Sequence, residues 1–191
     1  MTPAIEGDVF SVSLQPNGKI VIGGDFTGIN GVARSNVARL NRDGSLDESF
    51  DPGVGPNASV HALAVDRDGI LIGGLFVTVE GLSSRRLARL KFNGKLSRNF
   101  MVGSGFNGPV QTIYRRVDGR YLVGGSFGNY NGTIQENVTL INGDGSLADN
   151  ELGILSLNGP VYSVSELPGG SSVIGGSFTT VSYTHLRAHE T

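Results

Sequence analysis

The chain has 191 residues, a net charge of −2 and a pI of about 5.9, so it lacks the basic footprint of a nucleic-acid-binding protein. The absence of cysteine excludes disulfide bonds and thiolate chemistry, and no apolar stretch approaches the roughly 20 residues of a membrane-spanning helix. The 30 glycines, about twice the average usage, indicate many tight turns.

The first part of the chain predicts four short strands separated by turns. "VFSVSL" (9–14) alternates apolar and polar residues, which is typical of a strand with two different faces. "KIVIGGDF" (19–26), "NVARLN" (36–41) and "SLDESF" (45–50) predict the next three. Asn-Gly and Asp-Gly between such runs predict tight hairpins, because these residues tolerate positive φ. No apolar pattern of helical period and length occurs, so the sequence predicts an all-β chain.

This pattern returns throughout the chain. A pair of glycines recurs with steps of 50, 51 and 51 residues, and a phenylalanine follows two positions after each pair. We interpret these positions as structural, because glycine inside a strand lets a neighbouring backbone or ring approach closely, whereas a phosphate-binding loop would need a following helix. The glycines are Gly23, Gly24, Gly73, Gly74, Gly124, Gly125, Gly175 and Gly176, and the phenylalanines are Phe26, Phe76, Phe127 and Phe178.

Four antiparallel strands in a unit of about 50 residues predict the blade of a β-propeller. We expect one propeller segment over residues 1–181, with blades at about 9–59, 60–109 and 110–160 and a half blade at 161–181. Propellers close with typically four to eight blades. About three and a half blades therefore predict a partial propeller, completed by missing blades of a longer parent chain or by self-association. A β-helix and immunoglobulin-like repeats fit less well, because their units have roughly 20 and roughly 100 residues.

The tail "SYTHLRAHET" (182–191) is out of register with every repeat. It resembles translated sequencing-adapter sequence, and we expect it to be non-native. His185 and His189 have the spacing of metal ligands on a helix, but nothing else in the chain offers a third ligand, so the sequence predicts no metal site and no cofactor. The acidic residues of "DRDG" and "NGDGS" and the Asn-X-Ser/Thr triplets are interpreted as turn residues, with weak calcium binding as the alternative for the acids.

The stretch "PNGKIVIGGDFTGINGVARSNVARLNRDGSLDESFDPGVG" (16–55) resembles the delta-60 repeat family of bacterial β-propeller-like proteins. The resemblance covers about residues 1–181 and is weakest in "DGSLADNEL" of the third repeat, which lacks the expected phenylalanine. It implies a propeller of more blades within a long secreted or cell-surface protein, although residues 1–10 lack the features of a signal peptide. Kelch propellers, the alternative, share the glycine doublet and the period but normally carry a Trp in each blade, and this chain has none.

No catalytic residue is predicted, because no nucleophile elbow, zinc-protease motif or P-loop occurs. Binding residues of a propeller are expected on exposed loops and at positions where the repeats differ. The second position of the first strand varies, as does the loop after the second strand, and unconstrained surface variation is the competing explanation for both. These candidates are Phe10, His61, Gln111 and Tyr162 on the strands and Arg34, Arg85, Arg86, Tyr130 and Glu136 in the loops.

Arg39 and Arg89 recur in an "ARL" motif, while Asp47 occurs in the first repeat alone. We expect the recurring arginine to bridge strands or blades through hydrogen bonds to carbonyl groups.

Together these features predict a non-catalytic scaffold or recognition module, with a protein or glycan ligand, in an extracellular or cell-surface protein. The alternative is a propeller-type hydrolase or lyase acting on a carbohydrate or small molecule at the channel mouth. A third possibility is a truncated reading frame with no function of its own.

Overall fold

The computed structural model describes residues 3–148, 154–168 and 171–183, and all regular elements within them are β-strands. This confirms the predicted all-β class. No helix among the described residues is long and apolar enough to cross a membrane. The predictions for the tail, with His185 and His189, lie outside the described residues from 184 onward.

The strands follow one another in a repeated order. They are β1 (Ile5–Leu14), β2 (Ile20–Ile29), β3 (Val32–Ala33), β4 (Val37–Leu40), β5 (Val60–Asp66), β6 (Gly69–Gly74), β7 (Thr78–Val79), β8 (Leu82–Ser83), β9 (Leu87–Leu90), β10 (Val110–Arg115), β11 (Tyr121–Gly125), β12 (Asn129–Tyr130), β13 (Thr133–Ile134), β14 (Val138–Ile141), β15 (Ile154–Leu157), β16 (Val161–Glu166), β17 (Ser172–Gly176) and β18 (Val181–Tyr183).

Each of the first three repeats is an antiparallel sheet with its second strand in the middle. The orders are β1–β2–β4, β5–β6–β9 and β10–β11–β14, and β16 pairs with β17 in the fourth repeat. The first strands also contact one another in sequence, β1 with β5, β5 with β10 and β10 with β16. Antiparallel sheets that follow one another in this way are the blades of a partial β-propeller.

Tight hairpins form where the sequence predicts them. In the turn that follows the glycine pair in each of the first three repeats, both central residues have positive φ, as a type I′ turn requires. The angles are 53° and 77° at Asn30–Gly31, 51° and 75° at Glu80–Gly81, and 49° and 82° at Asn131–Gly132. Glu80 is an unusual residue for this conformation, and its carboxylate accepts a hydrogen bond from the backbone N–H of Leu96 at 3.0 Å. In the other predicted Asn-Gly and Asp-Gly turns, such as Asp43–Gly44, only the glycine has positive φ.

The segment predicted as the fourth strand is reduced to one bridging residue in each of the first three repeats. The bridges join Leu46 to Leu40, Leu96 to Leu90 and Leu147 to Ile141. In the first repeat the chain then turns, because the N–H and the hydroxyl of Ser49 both donate to Asp47 Oδ1, at 3.1 and 2.6 Å. This turn ends the ladder after one bridge and directs Phe50 into the core, where it is fully buried.

The first glycine of each pair is a contact between successive repeats. A Cβ at this position would clash with Cγ1 of the valine that opens the next repeat, and these valines are fully buried. The distance from such a Cβ to the valine Cγ1 is 2.7 Å for Gly23 and Val60, 2.5 Å for Gly73 and Val110, and 2.5 Å for Gly124 and Val161. At Gly175 a Cβ would meet Cβ of Ser163 at an ordinary 3.8 Å, and Val9, the opening valine of the first repeat, is 36% exposed.

Arg39 is buried on β4 and links two repeats. Its Nε donates to Asp47 Oδ2 at 2.6 Å, and Lys19 Nζ donates to the same oxygen at 2.7 Å. Its Nη1 donates to the backbone carbonyl of Phe92, in the second repeat, at 2.7 Å. The expected arginine-to-carbonyl bridge between repeats is therefore confirmed at this position.

Arg89 makes the equivalent link with a different carboxylate. Its Nη1 donates to both oxygens of Asp66 at 2.9 Å, and its Nη2 donates to the Tyr121 hydroxyl at 2.9 Å and to the carbonyl of Gly143, in the third repeat, at 3.3 Å. The acid thus comes from the end of the first strand, because Ser97 stands where the first repeat has Asp47.

The third repeat has Thr139 at the arginine position, and there an ion pair itself joins two repeats. Arg116, directly after β10, approaches Glu166 at the end of β16, with Nη2 2.9 Å from Oε1. Both side chains are largely buried. A guanidinium–carboxylate pair thus persists along the array although the residues that supply it change.

We expect Gly73→Ala to be far more destabilising than Gly175→Ala. The first adds a methyl group against Val110 and Ile113, and overpacking of this kind costs about 1–3 kcal/mol. The second adds it at ordinary contact distance, where the effect should stay within about 0.5 kcal/mol. Urea unfolding of both variants measures the difference, and equal losses would contradict the assigned contact.

Arg89→Met should destabilise the fold by about 3–5 kcal/mol, because it leaves the buried Asp66 carboxylate without its bidentate partner. The remaining cation, Arg115, lies 3.9 Å from Asp66. Adding Asp66→Asn removes the stranded charge and should recover part of the loss. Chemical denaturation tests this, and unchanged melting of the single variant would refute the structural role of Arg89.

Asp47 should make the stability of the protein sensitive to acid. Burial alone would raise the pKa of this carboxyl, but hydrogen bonds from Lys19, Ser49 and Arg39 outweigh burial and hold the pKa well below its ordinary value. The stabilisation is therefore present above the unfolded-state pKa of about 3.9 and is lost as the pH falls below it. We expect Asp47→Asn to be less stable than the wild type at pH 7, with the difference shrinking in denaturant titrations towards about pH 3.

Candidate ligand-binding site

Every first strand contains a β-bulge at the same place. The partner of the opening valine is the second glycine of the pair, yet the partner of the residue two positions later is the first glycine, so one residue between them has no partner. The unpaired residues are Phe10, His61, Gln111 and Tyr162. They are the four variable strand positions that the sequence singles out, and together they are named the bulge row.

The second glycine of each pair makes room for the bulge. A Cβ on Gly74 would lie 2.1 Å from the carbonyl oxygen of Ser59, and one on Gly125 would lie 2.0 Å from that of Pro109. Backbone atoms of the facing strand cannot move aside as a flexible side chain can. Because a bulge bends its strand and re-aims a side chain, the constant glycine holds the variable residue in one orientation.

The first three members of the bulge row contact one another in sequence. The rings of Phe10 and His61 meet edge to face, with centroids 5.2 Å apart and an interplanar angle of 83°. His61 Nδ1 lies 2.9 Å from Gln111 Oε1. Phe10 and Tyr162 are 51% and 54% exposed, while His61 and Gln111 are half-buried. The row therefore has accessible aromatic residues at its ends and polar groups between them.

Ser59 belongs to this site although the sequence analysis did not select it. Its Oγ lies 3.1 Å from His61 Nε2. With Gln111 Oε1 as acceptor, His61 Nδ1 carries the proton, and Nε2 of the neutral ring accepts from the Ser59 hydroxyl. The sequence does contain a signal for Ser59. The residues directly before the four opening valines are Asp8, Ser59, Pro109 and Pro160, and only Ser59 among them has a hydroxyl group.

Among the loop candidates, Arg86 is part of the contact between repeats. It has a φ of +67° and donates Nη1 to the carbonyl of Phe106 at 2.8 Å. Asn36 and Asn137 occupy the equivalent left-handed positions, with φ of 64° and 66°. They donate in the same way to the carbonyls of Pro56 and Leu157, which pair with residues of the following repeat. Arg86 thus replaces an asparagine in a structural bond.

Tyr130 is a core residue. It is fully buried, its ring centroid lies 4.4 Å from that of Phe106, and its hydroxyl donates to the carbonyl of Gly145. Burial, with a smaller effect of the Asp144 charge, raises the pKa of this hydroxyl well above its ordinary value. Its side chain is therefore not part of the loop surface on which the sequence analysis placed it.

The remaining loop candidates do not form a common cluster. Arg34 donates Nη1 to the carbonyl of Ala33 at 2.8 Å and is half-buried, as is Glu136, whereas Arg85 is exposed. No hydrogen bond or ion pair within the described residues joins any two of them. The bulge row, in which His61 contacts both Phe10 and Gln111, is therefore the better candidate site.

Acidic turn residues bond to their own turns. Asp43 Oδ1 accepts from the hydroxyl and the N–H of Ser45 at 2.7 and 2.9 Å, and Asp144 accepts from Ser146 at the same distances. These bonds, the hydroxyl first, lower the pKa of both carboxyl groups. In the part of the chain that the structure describes, no group of three or more acidic or histidine side chains could hold a metal ion.

Comparison with known proteins assigns the repeats to a family. A family model described as a domain of unknown function (DUF5122) beta-propeller matches residues 15–50, 67–100 and 118–147, just over half of the chain. The chain belongs to this family. Its DUF5122 repeats are consistent with the delta-60-like pattern, and no curated protein and no solved structure matches the chain. Each matched segment contains the glycine pair and the third strand, whereas the bulge row lies outside all three.

Proposed function

We propose that this β-propeller repeat module is a non-catalytic recognition module that binds a protein or a glycan through the bulge row. The observation that carries the proposal is that one bulge per repeat presents a different side chain while the facing glycines stay the same. The bulge and its facing glycines keep the backbone the same in every repeat, while the side chain at the bulge differs. The backbone can therefore stay constant while the binding surface varies, as in other repeat proteins with extended binding surfaces.

The chemistry of the row supports a ligand with both apolar and hydrogen-bonding surface. Phe10 and Tyr162 offer aromatic area that loses little side-chain entropy on binding. His61 and Gln111 lie between them and supply polar groups that fix orientation. The mutual hydrogen bond of these two residues also restricts their rotamers, which lowers the entropic cost of holding a ligand.

Hydrolysis is the second candidate, because Ser59, His61 and Gln111 form a hydrogen-bonded chain with the order of a nucleophile, a base and an orienting group. Two features count against it. Ser59 is 6% exposed, so its hydroxyl is poorly placed to attack a bound substrate. Gln111 is neutral and would not stabilise an imidazolium ion as a carboxylate does. The non-catalytic function is therefore favoured.

We also infer that the module works outside the cell or at its surface, beside further blades or a second copy of itself. The delta-60 resemblance supports the location, and the exposed Val9 and Gly175 support the added blades or copy. Recovery of the native protein in the cytosolic fraction of its source cells would contradict the location.

Binding to an immobilised panel of polysaccharides tests the role of the row. We expect the variant Phe10→Ala/Tyr162→Ala to lose at least about tenfold in affinity for any glycan that the wild type binds, because exposed aromatic anchors dominate such contacts. Ile134→Ala is the matched control, since Ile134 is 77% exposed but lies on β13, away from the row.

The outcomes separate the candidate functions. Equal binding by the row variant and the control would refute the bulge row as the site. If no glycan binds, a photo-crosslinking residue at position 10 tests the protein ligand in the same way. Turnover of a bound glycan that disappears in Ser59→Ala would support the hydrolase instead.

A further inference from the structure

An open cavity of about 440 Å³ lies beside Arg89 in the second repeat. Its wall includes Arg89, Ser97, Arg98, Leu96 and Phe100, from β9 and the segment that follows it. It is formed by a different part of the repeat from the bulge row, which belongs to the first strands.

The first repeat shows what occupies the corresponding place there. The Asp47 carboxylate accepts hydrogen bonds from Arg39 Nε, Lys19 Nζ and Ser49 Oγ, at 2.6, 2.7 and 2.6 Å. The two repeats are in the same register, because the N–H of Asp47 bonds to the carbonyl of Arg39 just as that of Ser97 bonds to the carbonyl of Arg89. The second repeat therefore has a serine where the first has a carboxylate.

This replacement leaves a buried donor of Arg89 without a partner. The residue is 4% exposed, and its Nη1 and Nη2 are used by Asp66, Tyr121 and Gly143. Its Nε has no hydrogen-bond partner among the described residues, which is uncommon for a buried polar atom. Arg34 and Arg86 also have an unpaired Nε, but neither has an equivalent in another repeat at which a carboxylate fills the place.

The surrounding charges favour an anion. Asp66 neutralises Arg89 and also lies 3.9 Å from Arg115. Arg98, which is exposed at the cavity wall, adds a further positive charge. The cavity also has an apolar side, because the Phe100 ring lies under the Arg89 guanidinium. Arg89 Cζ is 5.0 Å from the centroid of that ring.

We propose that this cavity binds a small organic acid. Its carboxylate accepts a hydrogen bond from Arg89 Nε, with the Ser97 hydroxyl as a second donor, and takes the place that Asp47 has in the first repeat. Its apolar part lies against Phe100 and Leu96. Arg98 attracts the anion from solvent and sets the salt dependence of binding.

Butyrate is a suitable probe, and butyramide is its neutral match. In the full chain labelled with ¹⁵N, a saturable shift of one arginine Nε–Hε resonance is expected with sodium butyrate and not with butyramide or sodium chloride at equal ionic strength. Absence of a saturable shift, or an equal shift with butyramide, would overturn the proposal. This arm uses the wild-type protein and does not depend on the folding of a variant.

Ser97→Asp supplies the carboxylate within the chain, and Ser97→Asn is its neutral control. The aspartate variant should shift the same resonance without ligand and lose at least about tenfold in butyrate affinity, as expected for loss of a charge-assisted hydrogen bond. The asparagine variant should keep its response. Unchanged binding by Ser97→Asp would place butyrate elsewhere, and tighter binding of an N-acetyl-aspartyl peptide than of butyrate would overturn the assignment to a free acid.

Discussion

The packing of a valine onto a glycine of the preceding repeat is the contact on which the rest of the structure depends. A hydrogen atom at Gly23, Gly73 or Gly124 lets the next sheet approach until its valine is fully buried. The adjacent glycine serves a different contact, because it admits the carbonyl group of a bulged strand within the same repeat. One dipeptide thus determines both the spacing between repeats and the shape of the strand that carries the variable residues.

A buried guanidinium provides a second link between repeats, either by a hydrogen bond to a carbonyl of the next repeat or by an ion pair with it. The guanidinium belongs to Arg39, Arg89 or Arg116 in the three repeats. The carboxylate paired with it comes, in the same order, from the fourth segment of the same repeat, from the first strand of the same repeat, and from the first strand of the next repeat. A buried ion pair must remain paired, because an isolated buried charge is costly. Its positions can nevertheless drift, and Ser97 in the second repeat leaves open the place that the Asp47 carboxylate fills in the first.

The sequence was sufficient to predict the all-β class and the hairpin turns, because alternation and Asn-Gly or Asp-Gly dipeptides act locally. It did not predict the bulges, since a bulge depends on the pairing of two strands and both strands read as regular when taken singly. The burial of Tyr130 was missed for a related reason: a short hairpin folds its residue back onto Phe106 of the preceding loop. The fourth segment alternates like a strand, but the Asp47 side chain captures the backbone after one bridge.

The valine-to-glycine contact also has a direction. In each repeat the glycine packs against the repeat that follows and the valine packs against the repeat that precedes. The first repeat therefore exposes Val9 and the fourth repeat exposes Gly175, and the two exposed surfaces differ. A two-fold axis brings identical patches together and cannot join these two. Units added through this contact are related head to tail, and the rotation per repeat decides whether they close into a ring or continue as an open helix. The geometry of one glycine therefore governs the symmetry available to any assembly built from these repeats.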